Sequence, residues 1–196
     1  MARCLCSECQ VTTCDKKKNL AKRKQGKTNC NTGRYAENKL LKLFKEWGIH
    51  IEKTVASGAL KQVESRVSKN QKYLFSGDFF TTGLIKGQKL KIENKKRQYV
   101  DFRKYYMLTD YDIGYIKDFC YLVSQAELKR ILDGENEHKV ITVEDKKHQG
   151  LHNFFNQDNA DIVTLIATNK EGTRYLDFIF CFKEDIYKKF IEQVRN

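Results

Sequence analysis

Apolar positions along this chain change period several times, and each change marks an element. Leu40, Leu41, Phe44 and Trp47 recur at three- and four-residue steps, the spacing of one face of an α-helix. Asn31 and Thr32 supply N-cap chemistry at its start, and Gly48 stands where a helix ends in a left-handed residue. His50 to Val55 reads as a short strand, followed by the loop Ser57-Gly58-Ala59. Residues 60 to 76 are polar and basic and read as an extended loop with a little helix. Two β-prone runs, Asp78 to Ile85 and Lys89 to Lys95, then form a hairpin around Lys86-Gly87-Gln88.

The stretch 99 to 147 carries a weaker pattern. It is rich in Tyr and Phe early, with a helix expected at Ser124 to Leu132 and a strand at Lys139 to Val143. Beyond it come a helix at His148 to Phe155, strands at Asp161 to Ala167 and Arg174 to Phe182, and a helix at Glu184 to Val194. The order is helix, three strands, an insertion, helix, strand, strand, helix, which predicts a mixed α/β domain over residues 34 to 196 with a central sheet.

Residues 1 to 33 have too few apolar side chains for a core of their own and hold five of the 7 cysteines. Such a segment is either tied by metal or disordered. Cys6 and Cys9, with Cys14 and Cys30, offer a four-thiolate zinc set in which Cys4 competes as a ligand; free thiols in a tail are the alternative. Cys120 and Cys181 lie between aromatic neighbours and read as core.

Charge sharpens the picture. Thirty-seven Lys and Arg against 25 Asp and Glu give +12, which favours a polyanionic partner, nucleic acid before an anionic membrane surface. No run approaches the roughly 18 apolar residues of a membrane span. The start MARCLCSEC lacks the apolar centre of a secretory signal, so a cytoplasmic, reducing setting without a disulfide framework is expected.

Against this basic background a few acids stand out. Glu37 precedes Leu40, Leu41 and Phe44 by three, four and seven residues and so shares their helix face. A carboxylate there costs on the order of several kcal/mol unless it is paired, metal-bound or able to reach water. On the second hairpin strand, alternation puts Glu93 and Lys95 on one face with Lys91. A two-residue turn at Lys86-Gly87 would pair residue 78 with 95 and bring Asp78 to that face; a turn one residue longer would reverse it. A solvated hairpin face is the plainer alternative. Grouped carboxylates are hard ligands suited to Mg²⁺ or Mn²⁺, and a bound metal of that kind can activate water at a phosphodiester while a nearby lysine offsets charge.

Glu37 on a helix, Asp78 after a strand and loop, and Glu93-x-Lys95 on the next strand resemble the PD-(D/E)xK nuclease superfamily. Arg34 to Leu40, Ile49 and Val55 to Ala59 make the chain most similar to archaeal-type Holliday junction resolvases. The resemblance covers residues 34 to 97 and continues weakly into the helix at Gln149 and the strands at 161 to 182. It implies a restriction-endonuclease-like core in which Glu37, Asp78 and Glu93 bind Mg²⁺ or Mn²⁺, Lys95 assists catalysis and Ser57 contacts DNA. It also implies a homodimer acting on four-way junctions, with Gln149 near the active site.

Basic residues cluster near these acids: Lys61, Arg66 and Lys69 before Asp78, Lys96 and Arg97 after Lys95, and a tail from Lys16 to Lys27. Each cluster suits phosphate binding or simple solvation. His148 and His152 have helical i, i+4 spacing, for which a solvated or DNA-facing role outweighs metal binding. Tyr99, Phe102, Tyr105 and Tyr106 read as packing rather than base-stacking residues. The functional expectation is a metal-dependent DNA endonuclease, specifically a junction resolvase. The alternatives are a nicking or repair endonuclease of the same fold and a non-catalytic DNA-binding module.

Overall fold

A computed structural model describes residues 13–54, 77–97, 106–135, 137–143, 148–168 and 175–196. The first half of the described chain gives helix α1 (Thr13–Glu46) and strands β1 (Ile51–Lys53), β2 (Phe79–Thr81) and β3 (Leu90–Arg97). Then follow β4 (Asp112–Ile116), β5 (Cys120–Ser124), α2 (Gln125–Leu132) and β6 (Lys139–Thr142). The last part is α3 (His148–Asp158), β7 (Ile162–Thr168), β8 (Tyr175–Lys183) and α4 (Glu184–Arg195). The strands join one mixed sheet in the order β1-β2-β3-β7-β8-β5-β4-β6, so the chain is α/β as its pattern predicts. Neighbouring strands run antiparallel except the parallel pairs β3·β7 and β4·β6.

Alternation along the strands divides the core in two. Phe79, Ile92, Ile162, Phe178, Phe180 and Phe182 pack against Leu40 and Phe44 of α1, Leu128 and Ile131 of α2, and Ile186 and Phe190 of α4. The opposite face carries Val163, Leu165, Ile179 and Leu122 under Leu151 and Phe155 of α3. Cys120 and Cys181 are buried on this second face, matching their aromatic sequence context. Among the described residues no helix is long and apolar enough to cross a membrane.

Gly48 stops α1 as expected. At φ +69 it donates to Lys45 O at 3.1 Å while Ile49 donates to Phe44 O at 2.9 Å, the paired bonds of a Schellman end. The start of α1 differs from expectation: the helix begins at Thr13, not at Asn31-Thr32. Lys, Arg, Gln, Leu and Ala are strong helix formers and carry residues 16 to 25 without any apolar stripe to betray them.

The hairpin is also corrected. β2 ends at Thr81 and β3 begins at Leu90, so residues 82 to 89 form a long connection in place of a tight turn. Leu84 and Ile85, read as strand, are buried from this loop instead. Gln193 of α4 anchors it, donating to Leu84 O at 3.2 Å and accepting the Lys86 N–H. The insertion holds the expected helix and strand as α2 and β6, and adds the unforeseen hairpin β4–β5. All three of its strands extend the sheet beyond β8, away from β1–β3. Its helix starts on Ser124, whose Oγ accepts the Glu127 N–H at 3.2 Å.

Candidate active site

Asp78 sits at the head of β2 between two strands. Its carbonyl accepts the Thr54 N–H at 2.9 Å, and its own N–H donates to Ile92 O at 3.0 Å. Its carboxylate Oδ2 accepts the Asn94 N–H at 2.9 Å. Backbone and side chain of Asp78 therefore grip β3 on either side of Glu93.

The observed ladder pairs Phe79 with Ile92 and Phe80 with Lys91, two residues away from the register that a two-residue turn would give. Asp78 still reaches the motif strand because its carboxylate, as well as its backbone, bonds to β3.

Glu93 and Lys95 lie on the α3 side of the sheet, where they pair in register with Val163 and Leu165 of β7. Glu93 is buried at 5% exposure, and the Lys95 ammonium is hydrogen-bonded to its Oε1. A buried carboxylate is tolerable only with such a partner. The Lys95 Nζ also lies 5.6 Å from the ring centre of Phe154 on α3, within cation–π range.

Glu37 is placed differently. Half-buried on α1, it is ion-paired with Lys53, the β1 residue opposite Phe79. Phe79 belongs to the core beneath α1, so this pair lies on the face away from Glu93 and Lys95. Among the described residues no three His, Cys, Asp or Glu side chains gather closely enough to hold a metal ion. Asp78 and Glu93 remain as two hard carboxylates on adjoining strands. That donor set fits Mg²⁺ or Mn²⁺, which typically take one or two carboxylates together with waters and substrate phosphate.

Two residues of the site were not singled out from sequence. Lys91, two positions before Glu93 on the same alternation, is buried at 3%. Its N–H donates to Asp161 Oδ2 at 2.8 Å, and the Asp161 N–H donates back to Lys91 O at 3.0 Å. Asp161 thereby fixes the register of β3 against β7. The period-2 pattern marks Lys91 in the sequence, whereas nothing local distinguishes Asp161 from a strand-capping acid.

Among the expected nucleic-acid contacts, Ser57, Lys61, Arg66 and Lys69 lie outside the described residues. Lys96 and Arg97 end β3, and Gln149 stands in the first turn of α3. His152 lies 4.6 Å from Phe119, ring centre to ring centre, and is exposed as expected. Tyr106 is buried, in line with packing; Tyr99, Phe102 and Tyr105 fall outside the described residues. So do Cys4, Cys6 and Cys9, while Cys14 and Cys30 lie within α1.

A second polar cluster lies in the insertion. Glu127, fully buried, is bound by His138 Nδ1 at 2.6 Å and Arg130 Nη1 at 3.0 Å, and Arg130 reaches on to Glu135 at 2.5 Å. These contacts tie α2 to the chain just before β6. No protein-family model matches the chain, and no curated protein matches it.

Proposed function

We propose that this chain is a metal-dependent DNA endonuclease with a restriction-endonuclease-like core, acting as a structure-selective Holliday junction resolvase. The observation that carries the reading is the meeting of Asp78, Glu93 and Lys95 at one stretch of β3. The order α1, β1–β3, α3, β7–β8 supports it, since it follows the arrangement that the resemblance implies once β4–β6 are taken as an insertion.

Asp78 and Glu93 would hold Mg²⁺ or Mn²⁺, which when bound lowers the pKa of a water and offsets charge on the phosphodiester. The Asn94 N–H and the Ile92 carbonyl keep Asp78 in place for this role. Lys95 brings a cation next to Glu93 and is backed by Phe154; on substrate entry it turns from the carboxylate to the phosphate. Glu37, paired with Lys53, acts on the reaction only if that pair opens. The net charge of +12 supplies sequence-independent affinity for the backbone. Symmetric cutting of a four-way junction needs two such sites, hence a homodimer.

One observation favours the non-catalytic alternative: Glu37 and Glu93 each already have a lysine partner, as structural acids in a DNA-binding module would. Cleavage assays on four-way junction, flap, duplex and single-stranded DNA with Mg²⁺ or Mn²⁺ separate the two. A resolvase cuts the junction, and Glu93→Gln abolishes cutting while binding persists. A wild-type chain that binds junctions but cuts none of these substrates with either metal is a binding module. Preference for nicked or flapped duplex would instead select a repair endonuclease.

A further inference from the structure

Most cations of helix α1 share a face. At about 100° per residue, Lys16, Lys17, Arg23, Lys24, Lys27, Arg34, Lys42 and Lys45, eight of its eleven basic residues, fall on one arc of about 120°, while Lys18, Lys22 and Lys39 fall outside it. The buried positions Ala36, Leu40, Leu43 and Phe44 occupy the opposite side. The acids of the helix, Asp15, Glu37 and Glu46, lie off the arc, with Glu46 at its margin 3.7 Å from Lys42. Arg34, Lys42 and Lys45 are exposed where the helix packs on the sheet. Toward the N-terminus the same arc runs on through Lys27, Arg23 and Lys16.

Such sorting carries a cost in the isolated chain. Arg23 and Lys27 are like charges at i, i+4, and Lys24 with Lys27 and Lys42 with Lys45 are like charges at i, i+3, spacings at which repulsion destabilises a helix. A polyanion laid along the arc removes that repulsion. From Lys16 to Lys45 the stripe measures about 44 Å, the length of about 13 base pairs of duplex. A membrane surface fits less well, because from Lys16 to Arg34 the only large apolar side chain is Leu20, and an interfacial helix needs an apolar face. Tyr35 is 57% exposed beside the stripe and lines a groove with Asn38, Lys39 and Lys42, where an aromatic face and cations meet.

We infer that the outward face of α1 is a second nucleic-acid contact, which tracks the phosphate backbone on the side of the sheet away from Glu93 and Lys95. It shares the DNA partner of the proposed nuclease but not its chemistry.

The test is binding of labelled duplex DNA in EDTA, where no cutting occurs, across a salt series. Replacing Lys16, Arg23, Lys27 and Arg34 together by Gln should lower the slope of log Kd against log salt by about 3 to 4 and weaken binding about tenfold or more near physiological salt. Far-UV circular dichroism checks that the helix persists. If it does not, the double variant Lys42→Gln with Lys45→Gln, on the packed part of α1, decides instead, with an expected fall in slope of about 2. An unchanged slope in the variant that keeps its helix overturns the proposal. So does wild-type protein that binds phosphatidylserine vesicles through these residues but not DNA. A chain that binds in this way and cuts nothing refutes the nuclease reading alone; one that cuts with its salt slope unaltered refutes the stripe alone.

Discussion

The carboxylate of Asp78 accepts the Asn94 N–H at 2.9 Å, fastening the head of β2 to the strand that carries both Glu93 and Lys95. This bond gives Asp78 two separable duties. Asn at position 78 keeps an oxygen that can accept the same N–H, whereas Ala keeps neither oxygen nor charge. Asp78→Asn should therefore leave the unfolding free energy within about 0.5 kcal/mol of wild type and remove metal-dependent cutting, while Asp78→Ala also loses about 1 to 3 kcal/mol of stability. Equilibrium unfolding and single-turnover cleavage on both variants check this. Wild-type cutting by Asp78→Asn would remove Asp78 from the site.

Gly77 holds the approach to Asp78 in a left-handed conformation, φ +80, with the position a Cβ would take 3.4 Å from Ile92 O. The space is adequate but the backbone is not, since left-handed φ costs an ordinary residue about 1 to 2 kcal/mol. Gly77→Ala is expected to destabilise by that amount. It should also slow cleavage at saturating metal, because relief of the strain turns Asp78 away from β3. Full activity with the same loss of stability would show that Asp78 keeps its place without this turn.

Much of the arrangement was legible because it rests on short periods. The alternation of Lys91, Glu93 and Lys95 survives any error in loop length, and the helical spacing of Leu40 and Phe44 fixes the buried face of α1 directly. The hairpin register depended instead on the chain between strands. Leu84 and Ile85 are as apolar as strand residues would be, yet they are buried from a loop, and sequence does not distinguish the two. The N-terminal half of α1 lacked any apolar rhythm, so its helicity rested on propensity alone. The β4–β5 hairpin turns through Lys117-Asp118-Phe119 with Asp118 at φ 57, without the glycine that usually announces such a turn. The pairing of Glu37 with Lys53 is tertiary, set by how α1 lies across β1, and no local pattern encodes it.

Asp161 joins three strands: it exchanges two hydrogen bonds with Lys91 of β3, heads β7, and accepts the Lys183 N–H of β8 at 3.1 Å on its carbonyl. The carboxylate contact to Lys91 is charge-assisted and its loss strands a backbone donor. Asp161→Ala should cost about 1.5 to 3 kcal/mol, read as a lower urea midpoint at an unchanged m-value. Asp161→Asn, which keeps an acceptor, should cost less than half as much. Equal losses in the two variants would mean that the Lys91 bond contributes little.

Tyr115 of β4, Tyr121 of β5 and Tyr187 of α4 stack in a row, with ring centres 4.6 Å and 4.1 Å apart. Burial first, and the neighbouring Tyr121 second, push the Tyr187 phenol well above its ordinary value; burial likewise raises Tyr121. The raised value belongs to the folded state, so the folded chain retains a proton that the unfolded chain has begun to release. The stability due to this difference is fully present below the unfolded phenol value of about 10 and is lost as pH rises above it. For the buried Tyr187 the loss is at most about 1.4 kcal/mol per pH unit. Tyr187→Phe removes the ionisable group but keeps the stacked ring. Its stability should therefore fall less steeply than that of the wild type between about pH 10 and 11, with little difference near pH 8. Urea unfolding across that range measures both slopes; identical slopes would mean that Tyr187 ionises as readily in the folded chain as in the unfolded one, and that the stack does not shield it.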